Sequence, residues 1–551
     1  MPTINFSLKD LNNLVGKNLK IEEVEDLVEF GKGELEEYDK KTDEAKVNFD
    51  DTNLPYLWSV EGAARLIKGV LGKNKGIPKI KIHDSSYELI VDKSVKKVRP
   101  YICSFIAKGH KIDDYLIKQI IQLQEKLCES FGRKRLKAAI GIYSYDKITF
   151  PIKYKAVDPE SIEFKPLEWK RPMTQQEILE SHPAGQKYAW ILESAKKYPI
   201  LIDSKNEVLS FPPIINSNTT GKIEIGEENL FFEVTGTDME TINIATNIFA
   251  QALHDRGFKI YSIKIKYDNK TIKTPLIKHE KIKVKKERIK ELTGLDLKET
   301  EIKKLLQKAQ FEYDKGNVLI PHYRADIIHD IDVIEEVAIM YDFNKIPTLP
   351  LTSYTIGEST KLMEFIDIIR NLIVGFGYQE TMSPILSSKE IIFEKMNVEE
   401  FSVIEIEEFM TESYSVVRNW LLPTLMEILS KNKHVEYPQK IFEQGLVTVK
   451  KKENIIDYER IAVASAHQNS DYTEIKQILD YVLRMLNVEY DMRETKHDSF
   501  IEGRVARVSV KGKDIAYIGE LHPQVLKNFD LDMPVAAFEL NISELYDLIN
   551  K

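Results

Sequence analysis

The stretch HYRADIIHDIDVIEEVAIMYDF, residues 322–343, divides into an extended first half and a second half with helical spacing. An apolar strand, NVLIP (317–321), precedes it, and helical segments over Glu287–Leu292 and Glu299–Gln310 come before that. The N-terminus holds a matching pattern. A helix over Ile21–Leu27 leads through the charged stretch Glu34–Asp43 to a short strand near Val47–Phe49. DDTNLPYLWSVEGAARLIKGVLG (50–72) follows, with Val60, Ala63, Ala64, Ile67, Val70 and Leu71 at helical spacing and Ser59 placed to cap. Both segments run helix, strand, aspartate, then a helix carrying Glu-x-x-Ala or Glu-Glu-x-Ala, so a small α/β module is expected twice. The expected boundaries are 1–78 for the first copy and 271–347 for the second.

Between them, over 79–270, a larger mixed domain is expected. Its long helix runs from about Asp114 to Phe131, with Leu116, Ile117, Ile120, Ile121, Leu123, Leu127 and Phe131 as an apolar stripe and Gly132 placed to close it. Short β-rich pieces follow, among them ENLFFEVTGTD (228–238), then a helix over Thr241–His254 and a strand over Phe258–Tyr267. After PTLPLTSYT (347–355) the composition shifts again. Residues 352–551 open with a helix over Lys361–Val374 and a strand interrupted by Pro384, a position that marks an edge. The fold class is α+β and multidomain.

The totals agree. A chain of 551 residues is too long for one core and implies several domains. With 43% hydrophobic and 30% charged residues it has the balance of a soluble globular protein. No apolar run reaches the ~20 residues a bilayer crossing needs. MPTINFSLKDLNN has neither the basic start nor the apolar stretch of a secretory signal. Cys103 and Cys128 are the sole cysteines, too few for a disulfide framework or a four-ligand zinc site, and they suit a reducing cytoplasm. The net charge of −9 sets long-range steering but leaves room for local phosphate contacts. Arg133–Lys137 and Lys278–Lys290 are the two basic runs; a solvated face is the first reading of each.

Four blocks, in order along the whole length, resemble the β chain of phenylalanyl-tRNA synthetases of the archaeal–eukaryotic type. The first is VRPYICSFIAKG (98–109) with LQEKLCESFGRKR and AIGIYSYDKI. The second is VLSFPPIINSNTTGKI (208–223) with LFFEVTGTD. The third is PHYRADIIHDIDVIEEVAIMYDFNKIP (321–347). The fourth comprises VVRNWLLPTLMEILSKNK, IFEQGLV, GRVARV, IGELHPQVL and PVAAFEL. Two local departures stand out. Asn53-Leu54-Pro55-Tyr56 replaces the family's usual Asn-Arg-Pro-Asp, and Tyr341-Asp342-Phe343 replaces a common Tyr-Gly-Tyr.

The resemblance implies that the central domain edits tyrosine wrongly attached to tRNA(Phe), with a pocket around Leu201, Ser210, Asn216, Glu233 and Thr235. Glu233 and Thr235 share a strand face by the two-residue period. No nucleophile motif stands out, so a bound water attacking the aminoacyl ester is expected. The resemblance also implies a magnesium site at Asp326, Asp332, Glu335 and Glu336. Three of these acids stand at i, i+3 and i+4 on one helix face, where a hard cation would relieve their repulsion. Favourable placement of acids in a first helical turn explains the same spacing without a metal.

Residues 352–551 look like a class II synthetase catalytic fold without its chemistry. An Arg-x-Glu element and a Gly-rich strand ending in Arg are the usual grip on ATP phosphates. Here Arg493 adjoins Glu494 directly, EGRVAR lacks the repeated glycines, and Arg418 and Arg504 are the possible remnants. ATP is therefore expected at a partner α chain, in an (αβ)₂ assembly that binds tRNA(Phe). A free-standing hydrolase of mischarged tRNA and a non-enzymatic scaffold derived from a synthetase are the rival readings.

Overall fold

A computed structural model describes residues 2–452 and 454–550, which fall into two compact units, 1–350 and 351–551. The first unit contains the repeated pattern as two modules with one order of elements. In the first, strand Thr3–Ser7 leads to helices Leu8–Val15 and Ile21–Val28, a hairpin Gly33–Asp39/Glu44–Phe49, and helix Val60–Val70. In the second, strand Lys281–Lys283 leads to helices Lys286–Thr293 and Glu299–Lys308, a hairpin Glu312–Asp314/Asn317–Leu319, and helix Asp330–Tyr341. In each three-stranded sheet the last strand lies in the middle.

The two modules share one hydrophobic core with part of the central domain. Their contact is tight: a Cβ on Gly69 would lie 2.1 Å from the Lys308 carbonyl, and the Gln310 amide donates to the Arg65 carbonyl at 2.5 Å. Ser59 caps the first module's last helix as its position implied, its Oγ accepting from the Gly62 amide at 3.2 Å. The charged stretch Glu34–Asp43 turns out to be mostly hairpin strand. Its alternation is masked because a register shift between Leu35 and Glu37 breaks the two-residue period.

The central domain is built on an 11-stranded sheet. It curls until its two ends touch: the Asn216 amide donates to the Ile142 carbonyl at 3.1 Å, and the Ser144 amide to the Thr220 carbonyl at 3.0 Å. The sheet continues past the boundary expected at 270, because Thr271–Thr274 pairs in register with Ile263–Lys266. The long helix covers Asp114–Lys126 and ends in a wider turn over Leu127–Phe131. Gly132 does not close it by a left-handed conformation, as φ is −76°. A Cβ there would instead lie 2.3 Å from the Ala138 carbonyl, and the left-handed residues are Arg133, Lys134 and Arg135. Within the first basic run Arg135 is structural, while Arg133 and Lys134 are exposed. Arg135 donates to the Pro213 and Ile214 carbonyls at 3.1 and 2.8 Å and lies over the Tyr188 ring.

The second unit holds a seven-stranded sheet that is antiparallel except where Gln379–Glu380 runs parallel to Gln439–Lys451. Helices Lys361–Gly375, Tyr472–Met485 and Ile542–Asn550 contribute to the core on one face, and Leu422–Lys431 and Pro523–Asn528 to the core on the other. No helix among the described residues is long and apolar enough to cross a membrane.

Candidate functional site

The central sheet brings the expected editing residues together across its seam. Leu201 lies opposite Ser210 on neighbouring strands, and Ser210 lies opposite Asn216 on the next. Glu233 and Thr235 sit on strand Asn229–Gly236, far away in strand order and near in space because the sheet closes. The bridge is Tyr143, whose hydroxyl contacts Ser210 Oγ at 2.7 Å and Glu233 Oε1 at 2.9 Å. Ser210, Glu233 and Thr235 are all buried, so Glu233 makes no surface ion pair.

Burial pushes the Glu233 carboxyl up to about 7, against the opposing pull of the Tyr143 hydrogen bond and the Arg99 charge. Its Oε2 has no hydrogen-bond partner among the described residues. A buried carboxylate oxygen without a donor costs free energy, so the position favours a ligand that brings one. Thr235 turns toward Arg99, accepting from Nε at its Oγ1 (3.0 Å) while its carbonyl accepts from a terminal guanidinium nitrogen at 2.6 Å.

Three contributors escaped the sequence reading: Tyr143, Arg99 and Gly141. Gly141 lies directly opposite Glu233 on the paired strand, and a Cβ there would stand 2.2 Å from the Tyr143 hydroxyl oxygen and 2.5 Å from Glu233 Oε1. All three lie inside the blocks VRPYICSFIAKG and AIGIYSYDKI, which alone signalled them. Neither cysteine offers a nucleophile: burial pushes the Cys103 thiol up to about 12 and that of Cys128 to about 11.

The raised Glu233 carboxyl has a stability consequence. Between pH ~4.5 and ~7 the folded chain holds this proton and the unfolded chain releases it, so the contribution weakens as pH rises through that window and is flat above it. Glu233→Gln removes the effect. The variant is expected to unfold at higher urea than the parent at about pH 8, by as much as ~3 kcal/mol, with the gap closing toward about pH 5. Parallel pH profiles for the two proteins would contradict it.

The four acids of the expected magnesium site each have a partner in the structure. The four carboxylates do have a basic partner and do not converge. Arg324 donates from Nε to Asp326 Oδ1 at 2.7 Å and from a terminal nitrogen to Glu336 Oε1 at 2.6 Å. Asp332 instead accepts from the Ile328 and His329 amides, both at 2.7 Å, as the third residue of a capping box. Glu335 reaches out to Lys32 at 2.9 Å. No group of three or more His, Cys, Asp or Glu residues able to hold an ion occurs among the described residues. In this arrangement Asp326, Asp332, Glu335 and Glu336 do not converge on one point, and a magnesium ion there would need their side chains to turn from these partners. The helical spacing was correct, but Arg324, in the same sequence block, already supplies the positive charge.

Of the two possible remnants in the second unit, Arg418 is committed to structure. Arg418 is buried against Glu443 at 2.5 Å and donates to Ser383 Oγ and the Leu446 carbonyl. Arg504 is exposed and paired with Glu520.

Residues 346–542 match the family model described as the phenylalanyl tRNA synthetase beta chain CLM domain, and residues 282–343 match the tRNA synthetase B5 domain. The chain is 42% identical to the phenylalanine–tRNA ligase beta subunit of Pyrococcus horikoshii, over 99% of its own length and 100% of that protein's. To the beta subunit of Methanocaldococcus jannaschii it is 38% identical, over 98% and 100%. A crystal structure of an N-terminal fragment of the phenylalanyl-tRNA synthetase beta subunit from Pyrococcus horikoshii superimposes with a TM-score of 0.60 at 41% identity, covering 62% of this chain and 99% of that one. With relatives this similar end to end, the chain belongs to the family of phenylalanine–tRNA ligase beta subunits.

Proposed function

We propose that this chain serves as the non-synthetic subunit of a phenylalanine–tRNA ligase and clears tyrosine mistakenly joined to tRNA(Phe). The observation that carries the editing half is the unpartnered Glu233 Oε2 in the closed central sheet. A synthetic pocket shaped for phenylalanine rejects an analogue bearing one extra hydroxyl by only about a hundredfold. A second site that needs a phenol reverses the preference. The tyrosyl hydroxyl would donate to Glu233, and phenylalanine would leave that oxygen bare. Hydrolysis then requires a water to add to the ester carbonyl; the bond to the terminal ribose oxygen breaks, releasing tyrosine and free tRNA. The two cysteines, held as neutral thiols by burial, favour water over a covalent route.

The synthetic half belongs to a partner α chain carrying the ATP site, because Arg418 and Arg504 are engaged with Glu443 and Glu520. An (αβ)₂ assembly in the cytoplasm accommodates both halves. The purified chain alone is expected to show no phenylalanine-dependent exchange of pyrophosphate into ATP, and to support it once combined with its α chain. Exchange by the chain alone would overturn the assignment.

A further inference from the structure

On the sheet face of the second unit that packs Leu422–Lys431, there is a cavity of about 230 Å³ that the proposed function leaves unused. Part of its wall is aromatic. His497 lies 4.8 Å from Tyr517, 5.3 Å from Phe500 and 5.9 Å from Trp420, ring centre to ring centre. Burial holds the His497 imidazole below its ordinary range, which keeps it neutral. Arg507 lies flat over the far wall, 3.8 Å from the Tyr517 ring centre.

The polar groups lining this cavity divide into two sets. The charged ones are paired, although Arg460 Nε has no hydrogen-bond partner among the described residues. Arg460 pairs with Glu539 at 2.9 Å, Arg507 with Asp514 at 3.4 Å, and Glu539 also accepts from the Leu421 and Leu422 amides. Of the neutral ones, His497 Nδ1 accepts from the Ser499 amide and Asn541 Oδ1 from the Glu544 amide, but Asn419 and Trp420 are unmatched. Asn419 is 4% exposed, and neither its amide oxygen nor its amide nitrogen has a hydrogen-bond partner among the described residues. The indole N–H of Trp420, the next residue, is also without one. Leaving a buried amide bare at both ends is costly, and few native sites tolerate it without a reason.

An amide free at both ends is complementary to an adjacent donor and acceptor on a flat edge, as when asparagine holds N6 and N7 of adenine. Aromatic walls supply the stacking surface such a ring uses. Two arginines against Asp514, Glu539 and Glu544 give no preference for an anion. We infer that this cavity binds a neutral nucleobase, with adenine the best fit, edge-on to Asn419 and stacked among Trp420, His497 and Tyr517. This goes beyond the proposed editing and assembly roles and requires no turnover.

Equilibrium dialysis of the full chain, free of its α partner, against labelled adenosine tests it. Saturable binding at one site is expected. Purine riboside, the same ring without the 6-amine, is expected to bind about tenfold more weakly or worse. Asn419→Ala removes a side chain with no internal partner, so it should leave the melting temperature unchanged and abolish binding. Trp420→Phe, which keeps the ring and loses the N–H, should weaken binding by a smaller factor. A short RNA ending in adenosine that competes would assign the base to a nucleic acid; failure to compete would assign it to a free nucleoside. No adenosine binding at millimolar concentration, or equal binding of purine riboside, would overturn the inference.

Discussion

Glu233→Ala is expected to slow deacylation of Tyr-tRNA(Phe) by about tenfold to a hundredfold while charging with phenylalanine proceeds at the parent rate. The magnitude follows from a single buried hydrogen bond to a carboxylate, ~1–3 kcal/mol, realised only when the substrate carries a phenol. The side chain is buried on a strand paired on both sides, so a general loss of structure must be separated from a loss of recognition. Glu233→Gln makes the separation. It retains an acceptor oxygen at nearly the same place and removes the raised carboxyl, so it should fold at least as well as the parent at pH 7 and keep part of the activity. Single-turnover deacylation with Tyr-tRNA(Phe), set beside charging kinetics in the complex with the α chain, reads both. An Ala variant that deacylates at the parent rate would remove Glu233 from the site. One that also loses charging would point to misfolding.

Much of this architecture could be read from the chain. Helix faces were legible because apolar spacing and caps are local. Val60–Val70 and Lys361–Gly375 lie within a residue or so of their expected ends. The repeated module was visible for the same reason, since each copy carries its own helices and hairpin. Sheet closure was not legible. Nothing local in AIGIYSYDKI says that Tyr143 will meet Ser210 across a seam, because that contact depends on the curl of the whole sheet. The five editing positions were reached by resemblance and then found near one another, except that Thr235 faces Arg99. The partners of the acidic cluster were not legible either. Helical spacing places Asp332, Glu335 and Glu336 on one face, but spacing is blind to what approaches that face. Asp332 turned back to its own backbone, Glu335 turned out to Lys32, and Arg324 took Asp326 and Glu336. The departures from the family pattern also acquire a context. Tyr56, where the family usually has aspartate, packs 5.2 Å from Tyr323 and lies under Arg324. Asp342, where the family often has glycine, sits at φ +84°.

Arg324→Ala is the substitution expected to cost most, about 3–5 kcal/mol in unfolding of the first unit. Arg324 lies where the two small modules share their core, over the rings of both Tyr56 and Phe311. Its guanidinium, held well above its ordinary range by Glu336, Tyr56 and Asp326 against the cost of burial, answers two carboxylates at once. Removing it leaves Glu336 enclosed beside Asp326 with no counter-charge, and burial already pushes the Glu336 carboxyl up with Arg324 in place. The penalty is therefore mainly two orphaned carboxyls, which an apolar replacement of all three residues avoids. The triple variant Arg324→Met, Asp326→Leu and Glu336→Met, which leaves neither carboxylate behind, should recover most of the lost stability, whereas Arg324→Ala alone should not. The same experiment decides between arginine and metal as the counter-charge. If Arg324 is sufficient, millimolar Mg²⁺ or a chelator leaves the parent's unfolding midpoint where it was, because no carboxylate pair is left to accept the ion. A midpoint that climbs with Mg²⁺ in the parent, together with little loss in Arg324→Ala, would return the cluster to the cation and make the arginine a bystander.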